Sequence, residues 1–146
     1  MTAKASTGLR NALLDTGPFR TVMNLSFLKI YAGTEPADAD ASLGGATLLC
    51  TISNNGSATG LTFAASASGG VLTKTLAEIW SGNNVASGNA TFYRLVGASD
   101  DGSASLTQPR VQGTVGVAGA DLNLSNVALV SGAPQSIDSY NVALPG

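Results

Sequence analysis

Three carboxylates lie close together in the stretch FLKIYAGTEPADAD, residues 27–40, at Glu35, Asp38 and Asp40. Asp38 and Asp40 are two residues apart, a spacing at which calcium-binding loops often place their ligands. A loop of the EF-hand type also needs further oxygen ligands at fixed positions and a final bidentate glutamate, whereas the next acid in the chain is Glu78. The pattern therefore favours a solvated connecting loop, and we expect no bound metal.

Two further pairs of residues have the letters of catalytic motifs. Ser26 and Lys29 match the S-x-x-K dyad of penicillin-recognising enzymes, but that dyad opens a helix, whereas Lys29 lies in a predicted strand. Asp100 and Asp101 could act as a carboxylate pair in acid–base chemistry. Gly102 follows them, however, and aspartates before a glycine are typical of an exposed hairpin turn. Neither pair predicts catalysis.

The chain contains no histidine and a single cysteine, Cys50. A Ser-His-Asp or Cys-His nucleophile cannot be built from this composition, and neither can a zinc site rich in histidine or cysteine. Cys50 lies in the apolar run TLLCTI, where we interpret it as a small buried hydrophobe that supports no intrachain disulfide. We therefore expect that the protein is not an enzyme and needs no cofactor.

Trp80 and Tyr93 are the candidates for an aromatic platform that stacks on sugars. The chain has only one tryptophan, three tyrosines and four phenylalanines, which is sparse for such a platform. Trp80 also ends the long apolar run VLTKTLAEIW, so the sequence favours a place for it in the core.

The composition indicates one globular domain with an unusually neutral surface. Of 146 residues, 44% are hydrophobic, which excludes a disordered chain, yet only 11% are charged, against roughly 25% in an average domain. Because charged side chains normally keep a free monomer soluble, this composition favours a protein packed against copies of itself or within a larger assembly.

The number and spacing of the charged residues also indicate which kinds of partner the protein can bind. The net charge is −2 and the cations are scattered singly, so no basic patch for nucleic-acid phosphate is expected. No apolar run reaches the roughly 18 residues of a membrane span, and the N-terminal segment lacks the apolar core of a signal peptide. We therefore expect no nucleic-acid or membrane partner, and synthesis in the cytoplasm.

One short helix is predicted near the N-terminus, in an arm of residues 1–25. Ser6 or Thr7 could cap the run GLRNALLDTG, and the Gly-Pro pair that follows would end the helix. Four apolar side chains of this segment must be buried against something, namely Leu9, Leu13, Leu14 and Phe19. The arm either docks onto a neighbouring molecule, which would make these four residues a partner interface, or plugs one end of its own β domain.

Residues 26–146 have the pattern of an antiparallel β domain. Short β-branched or aromatic runs alternate with clusters of Gly, Asn, Asp and Ser, with no helical pattern between them. The predicted strands are Ser26–Ala32, Ala46–Ser53, Gly60–Ala64, Val71–Trp80, Asn89–Val96, Arg110–Val115, Asn126–Val130 and Gln135–Leu144. Within the fifth, both alternating faces are partly apolar, so it should be a central strand. About eight such strands predict an all-β, antiparallel β-sandwich or jelly-roll-like fold.

The chain resembles a widespread set of small proteins of tailed phages and prophages. The resemblance covers residues 27–145 and is carried by LKIYAGTEPADAD, GATLLCTI, EIWSGNNVASGNATFYRL, GTVGVAGADLNL and SIDSYNVALP. Its most specific parts are the IY-x-G-x-x-P loop and the G-x-A-D-L-x-L stretch. The resemblance implies a structural protein of the virion and carries no catalytic residues that could be transferred to this chain.

The expected function is therefore that of a structural component of a tailed bacteriophage, made in the bacterial cytoplasm and incorporated into the virion. The leading assignment is a capsid decoration or cement protein, a homo-oligomer such as a trimer, with the major capsid protein or another virion protein as its partner. A neck, tail or fibre-attachment protein is the alternative within the same class. A receptor- or glycan-binding module is the alternative from another class.

Overall fold

The computed structural model describes residues 3–144, so the outermost residues of the predicted arm and β domain, 1–2 and 145–146, lie outside it. Within that range the chain forms two short helices, α1 (Thr7–Asp15) and α2 (Phe19–Val22), and twelve strands. The strands are β1 (Lys4–Ala5), β2 (Phe27–Ala32), β3 (Thr47–Asn54), β4 (Val71–Thr73), β5 (Trp80–Asn83), β6 (Gly88–Asn89), β7 (Phe92–Val96), β8 (Arg110–Gly116), β9 (Leu122–Asn123), β10 (Ala128–Leu129), β11 (Pro134–Ile137) and β12 (Asn141–Ala143).

The predicted all-β fold is confirmed. Eight strands form one sheet in the order β1-β8-β7-β2-β3-β5-β11, with β9 also paired to β8. All pairs are antiparallel except β8 with β9. Two small antiparallel pairs, β4 with β12 and β6 with β10, complete the strands. As predicted, β7 is central: it lies between β2 and β8, and all five of its residues are buried.

Two long predicted strands are interrupted. The run Val71–Trp80 is divided because residues 74–79 turn away from the sheet, with the backbone N–H of Glu78 donating to the carbonyl of Thr75 at 3.1 Å. The run Gln135–Leu144 is divided into β11 and β12, which pair with different strands. The predicted strand Gly60–Ala64 makes only single bridges, at Leu61 and Phe63.

The main sheet has two buried faces of different chemistry. One face carries the hydrophobic core, to which β2, β7 and β8 contribute Leu28, Ile30, Tyr93, Leu95, Val111 and Val115. The alternate residues of the same strands point to the other face, among them Tyr31, Phe92, Arg94, Arg110 and Gln112. These five side chains are also buried, although two of them are arginines. The polar groups of the second face hold the connections after β2 and β7, as described below.

The described part of the predicted N-terminal arm packs into the same domain. Strand β1 pairs with β8, and the Ser6 side chain caps α1 by accepting from the N–H of Leu9 at 3.1 Å. Gly8 lies so close to the backbone of Thr107 that a Cβ there would be 2.4 Å from its carbonyl carbon. Residues 3–25 are therefore held by backbone pairing and close packing against the β domain.

Candidate functional site

Two buried arginines on neighbouring strands organise the second face of the sheet. The register pairs Arg94 of β7 with Gln112 of β8, and Val96 of β7 with Arg110 of β8, so the two guanidinium groups are diagonal neighbours. Arg94 is 1% exposed and Arg110 is fully buried. The sequence shows these cations as scattered single residues, and only the strand register brings them together. The sequence did contain one indication that Arg94 is buried, since the alternation places it on the same face as Phe92 and Val96.

Arg110 forms a buried ion pair with Asp100. Its Nε lies 2.5 Å from Oδ2 of Asp100 and its Nη2 lies 2.8 Å from Oδ1. The remaining donors reach the carbonyls of Ala39, at 3.1 Å, and Ser103, at 2.7 Å. The interpretation of Asp100 as an exposed turn residue is therefore wrong, because its side chain is 1% exposed and neutralises a buried cation. Asp101 does lie in the turn, exposed and bonded to Ser103.

Arg94 is held by neutral groups. Its Nε donates to Oε1 of Gln112 at 2.8 Å, and its Nη2 donates to the carbonyls of Ala41, at 2.7 Å, and Asp38, at 3.3 Å. Its Nη1 is buried without a hydrogen-bond acceptor in the part of the chain that the structure describes. Burial lowers the pKa of Arg94, and the nearby positive charge of Arg110 lowers that pKa further.

The three carboxylates of the acidic stretch each bind a different partner. Glu35 accepts from Nζ of Lys4 at 3.3 Å and from Nε2 of Gln112 at 3.2 Å. Asp38 accepts from the backbone N–H groups of Asp40 and Ala41, closing a tight turn. The acids are thus dispersed, and the interpretation of this stretch as loop scaffold agrees with their contacts.

Asp40 has a specific structural role that the sequence does not indicate. It accepts from the backbone N–H of Thr7 at 2.8 Å and from the Thr7 hydroxyl at 2.6 Å, at the first residue of α1. The hydrogen bond from the Thr7 hydroxyl lowers the pKa of Asp40. A carboxylate at this position also interacts favourably with the positive end of the helix dipole. Asp40 therefore ties the loop to the helix.

The other candidate chemical groups are also separated. Alternation along β2 places Lys29 on the same face of the sheet as Arg94. Ser26 precedes the strand and shares the alternation of Leu28, which lies on the opposite face. Ser26 and Lys29 therefore cannot form a dyad. Within residues 3–144, no three acidic or cysteine side chains lie close enough together to hold a metal ion. Cys50 is buried in the core, and burial raises the pKa of its thiol to about 11.

The aromatic side chains form a buried cluster. Trp80 contacts Phe63 edge-on, with ring centroids 5.6 Å apart, and Tyr140 at 5.5 Å. The hydroxyls of Tyr140 and Tyr93 are hydrogen-bonded at 3.0 Å. Trp80 is 1% exposed and Tyr93 is 2% exposed. The prediction that Trp80 belongs to the core is confirmed, and neither residue can serve as a surface platform for sugars.

The four apolar residues expected at a partner interface have different surroundings. Leu9 is 1% exposed within its own chain, and Leu13 and Phe19 are partly buried against the same core. Phe19 contacts Phe63 edge-on at 5.2 Å between ring centroids. Leu14 alone of the four projects into solvent, with 87% exposure. Leu9 is packed within its own chain, as in the intramolecular plug, and an interface role for these four residues stays a prediction.

Leu14 belongs to a larger group of exposed apolar side chains. Among the described residues, the exposed large hydrophobic side chains are Leu14, Leu25, Leu76, Ile79, Val85, Leu106, Val117, Val130 and Leu144. Leu76 equals Leu14 in exposure, at 87%. Leu25 is held in the left-handed region, at φ 59°, which is rare for a residue with a branched side chain.

Two shallow grooves are present on the described surface. The larger, of about 330 Å³, lies beside β11 and is lined mainly by polar residues, including Asn123, Gln135, Ser136 and Asp138. The smaller, of about 220 Å³, is lined by Arg20, Thr21, Asn24 and Phe63. Neither groove contains any of the candidate catalytic pairs.

Comparisons with protein-family models, with curated proteins and with solved structures found no match to this chain. Within residues 3–144, no helix is long and apolar enough to span a membrane.

Proposed function

We propose that this protein is a structural component of a tailed bacteriophage virion, with capsid decoration or cementing as its role. One observation carries the proposal: large apolar side chains such as Leu14 and Leu76 are left in solvent on a chain with only 11% charged residues. Covering such side chains with another protein removes apolar area from water, which favours association. The resemblance of residues 27–145 to small phage proteins supports the same class.

The packing of the charged groups also supports an assembly role. The acidic loop and both buried arginines make contacts that hold the chain's own connections, so they rigidify the body. A rigid all-β body loses little conformational entropy on docking, and many modest contacts repeated by symmetry add up to strong attachment. A homo-oligomer, such as a trimer at local threefold positions of the shell, would present several copies of each exposed side chain. The major capsid protein is the proposed partner.

Copy number on the particle tests this proposal directly. Quantitative mass spectrometry of purified virions should find this chain in hundreds of copies, comparable to the major capsid protein. Tens of copies would instead support the neck, tail or fibre-attachment alternative. Absence from purified particles would overturn both. Electron microscopy of particles labelled at this protein would give its position independently.

Add-back experiments test the exposed apolar residues. Purified protein should bind to shells assembled without it, and the Leu14→Ser and Leu76→Ser variants should be compared for binding and for thermal unfolding. Unchanged unfolding with weaker binding for at least one variant is the expected result. Full binding by the double variant would show that neither side chain contributes to the contact.

A glycan-binding role is a second candidate, favoured by the polar groove beside β11. Amide and carboxylate groups such as those of Asn123, Gln135 and Asp138 can hydrogen-bond sugar hydroxyls. The aromatic platform expected for this role is missing at Trp80 and Tyr93, because both are buried. Glycan-array binding that is lost in Asp138→Ala, with unchanged shell attachment, would support this second function.

A further inference from the structure

The second face of the sheet buries more positive than negative charge. Two guanidinium groups lie there, on Arg94 and Arg110, and the Asp100 carboxylate pairs only with Arg110. Among the described residues, no carboxylate lies within ion-pair distance of Arg94. Arginine keeps its proton under essentially all conditions, so the charge of Arg94 stays in place. The carboxylates of Asp100 and Asp38 act on Arg94 only from beyond ion-pair distance, and a buried charge without a close counter-charge is destabilising.

The hydrogen bonds of Arg94 leave one side of the guanidinium unused. Its Nε and Nη2 donate to a glutamine oxygen and two backbone carbonyls, all of them neutral. Its Nη1 is buried and has no acceptor within residues 3–144. Carbonyl dipoles satisfy hydrogen-bond geometry but supply no net negative charge. Nη1 is therefore the donor of Arg94 that remains for a counter-ion.

Tyr31 is a neighbour of Arg94 on the same face of the sheet. It lies diagonally across from Arg94 in the pairing of β2 with β7, and its ring stacks on Phe92 with centroids 5.1 Å apart. Burial raises the pKa of Tyr31 to about 12, while the charge of Arg94 acts in the opposite direction, so the two groups are in electrostatic range.

We propose that Nη1 of Arg94 binds one small monovalent anion of the halide class, with chloride as the ion available in ordinary buffers. The ion must be small because the connection after β2 covers Arg94, with the carbonyls of Asp38 and Ala41 in contact with the guanidinium. A water molecule would satisfy the N–H group but would leave the charge uncompensated. The anion does for Arg94 what Asp100 does for Arg110, and it fixes the covering loop in place.

Crystals of the full chain soaked in sodium bromide provide the direct test. Bromide scatters anomalously and water does not, so an anomalous peak at hydrogen-bonding distance from Nη1 of Arg94 is the expected result. Electron density there without an anomalous signal would identify a water molecule and overturn the proposal. An absence of any density at this position would overturn it as well.

Thermal unfolding provides a test in solution. At constant ionic strength, replacing sodium gluconate by sodium bromide should raise the Tm of the wild-type protein in proportion to the logarithm of the bromide concentration, because the ion binds only the folded state. Arg94→Gln should abolish this rise, whereas the exposed Arg20→Gln control should keep it. An equal rise in all three proteins would reveal a general salt effect and contradict the proposal. If Arg94→Gln does not fold, the anomalous map still decides.

Discussion

The Asp40 carboxylate accepts two hydrogen bonds from Thr7, one from the backbone N–H at 2.8 Å and one from the hydroxyl at 2.6 Å. This relationship joins a loop that follows β2 to the first turn of a helix 33 positions earlier in the chain. It explains why α1, only nine residues long, forms as part of the domain. A helix of that length is marginal alone. Here Ser6 and the distant Asp40 cap its first turn, and the β domain covers its apolar face.

Replacing Asp40 by alanine should destabilise the protein by about 1 kcal/mol, the usual cost of removing a side chain that caps a helix. Urea unfolding at neutral pH is the measurement. Asp15→Asn is the matched control, because this exposed acid lies at the opposite end of the same helix, where a negative charge interacts unfavourably with the helix dipole. The control should be neutral or slightly more stable. Equal losses in both variants would contradict the role assigned to Asp40.

The same contact predicts a pH dependence. The pKa of Asp40 is lowered in the folded protein by the hydrogen bond from Thr7. A lowered folded pKa means that the stabilisation is complete above the unfolded pKa of about 3.9, and is lost as the pH falls through the folded pKa. The wild-type protein should therefore lose stability in acid more steeply than Asp40→Ala does. If the free energies of unfolding of the two proteins fell in parallel as the pH was lowered, folding would not favour the ionised form of Asp40.

Local patterns in the sequence predicted much of this fold. The double-sided apolar alternation of residues 92–96 correctly indicated a central strand, and Ser6 was identified as a possible cap of α1. Trp80 was correctly placed in the core from its position at the end of an apolar run. These predictions are correct because each depends only on residues a few positions away in the sequence.

The buried polar network could not be predicted in the same way. Arg94 and Arg110 become neighbours only through the register of β7 with β8. The loop carbonyls that accept from them are far away in the sequence: Ala41 is 53 positions from Arg94, and Ala39 is 71 positions from Arg110. Asp100 was read as exposed because an Asp-Asp-Gly turn is normally solvated, and only the distant Arg110 makes its burial favourable. Long-range pairing of this kind leaves little mark on local composition.

Removing the counter-charge of Arg110 should be far more damaging than removing the neighbouring acid. Asp100→Asn keeps the shape of the side chain but leaves the Arg110 guanidinium buried without a negative partner, so we expect a loss of about 3–5 kcal/mol in the free energy of unfolding. Asp101→Asn is the control at the adjacent, exposed position and should change stability little. Chemical denaturation of the two variants decides, and a stable Asp100→Asn protein would show that the ion pair is dispensable.

Leu9 and Leu14 lie on the same helix and should separate folding from assembly. Leu9 is 1% exposed and Leu14 is 87% exposed. Leu9→Ala removes buried apolar volume and should cost about 2–5 kcal/mol of stability. Leu14→Ala should leave the free energy of unfolding nearly unchanged. Thermal or urea unfolding of the pair is the measurement, and a large loss in Leu14→Ala would mean that this residue is covered in the free protein.

Hydrogen exchange of the free protein gives a second check on the same helix. If α1 is packed as described, the amides of residues 10–14 should exchange slowly, on the timescale of those in the central strand β7. Fast exchange confined to this helix, in a protein whose strands are protected, would favour a mobile arm that orders only on docking.

The three tyrosines should titrate only when the protein unfolds. Burial raises the pKa of Tyr31 and of Tyr93 to about 12, and it raises that of Tyr140 well above the ordinary value. A raised folded pKa means that the stabilisation is complete below the unfolded pKa of about 10, and is lost as the pH rises towards the folded pKa values. Between these two pKa values, the tyrosines of the unfolded chain lose their protons while those of the folded protein keep them.

Phenolate absorbance and circular dichroism should therefore be followed together through an alkaline titration. For the native protein we expect little phenolate signal up to about pH 11, and then a rise that coincides with the loss of native dichroism. The tyrosines of the chain unfolded in urea should titrate at about pH 10. Tyr140→Phe removes the hydroxyl that lies 3.0 Å from that of Tyr93, so the variant should unfold at a different pH, again with both signals together. A phenolate signal that appears near pH 10 while the native dichroism persists would place at least one tyrosine in contact with solvent and contradict the burial of all three.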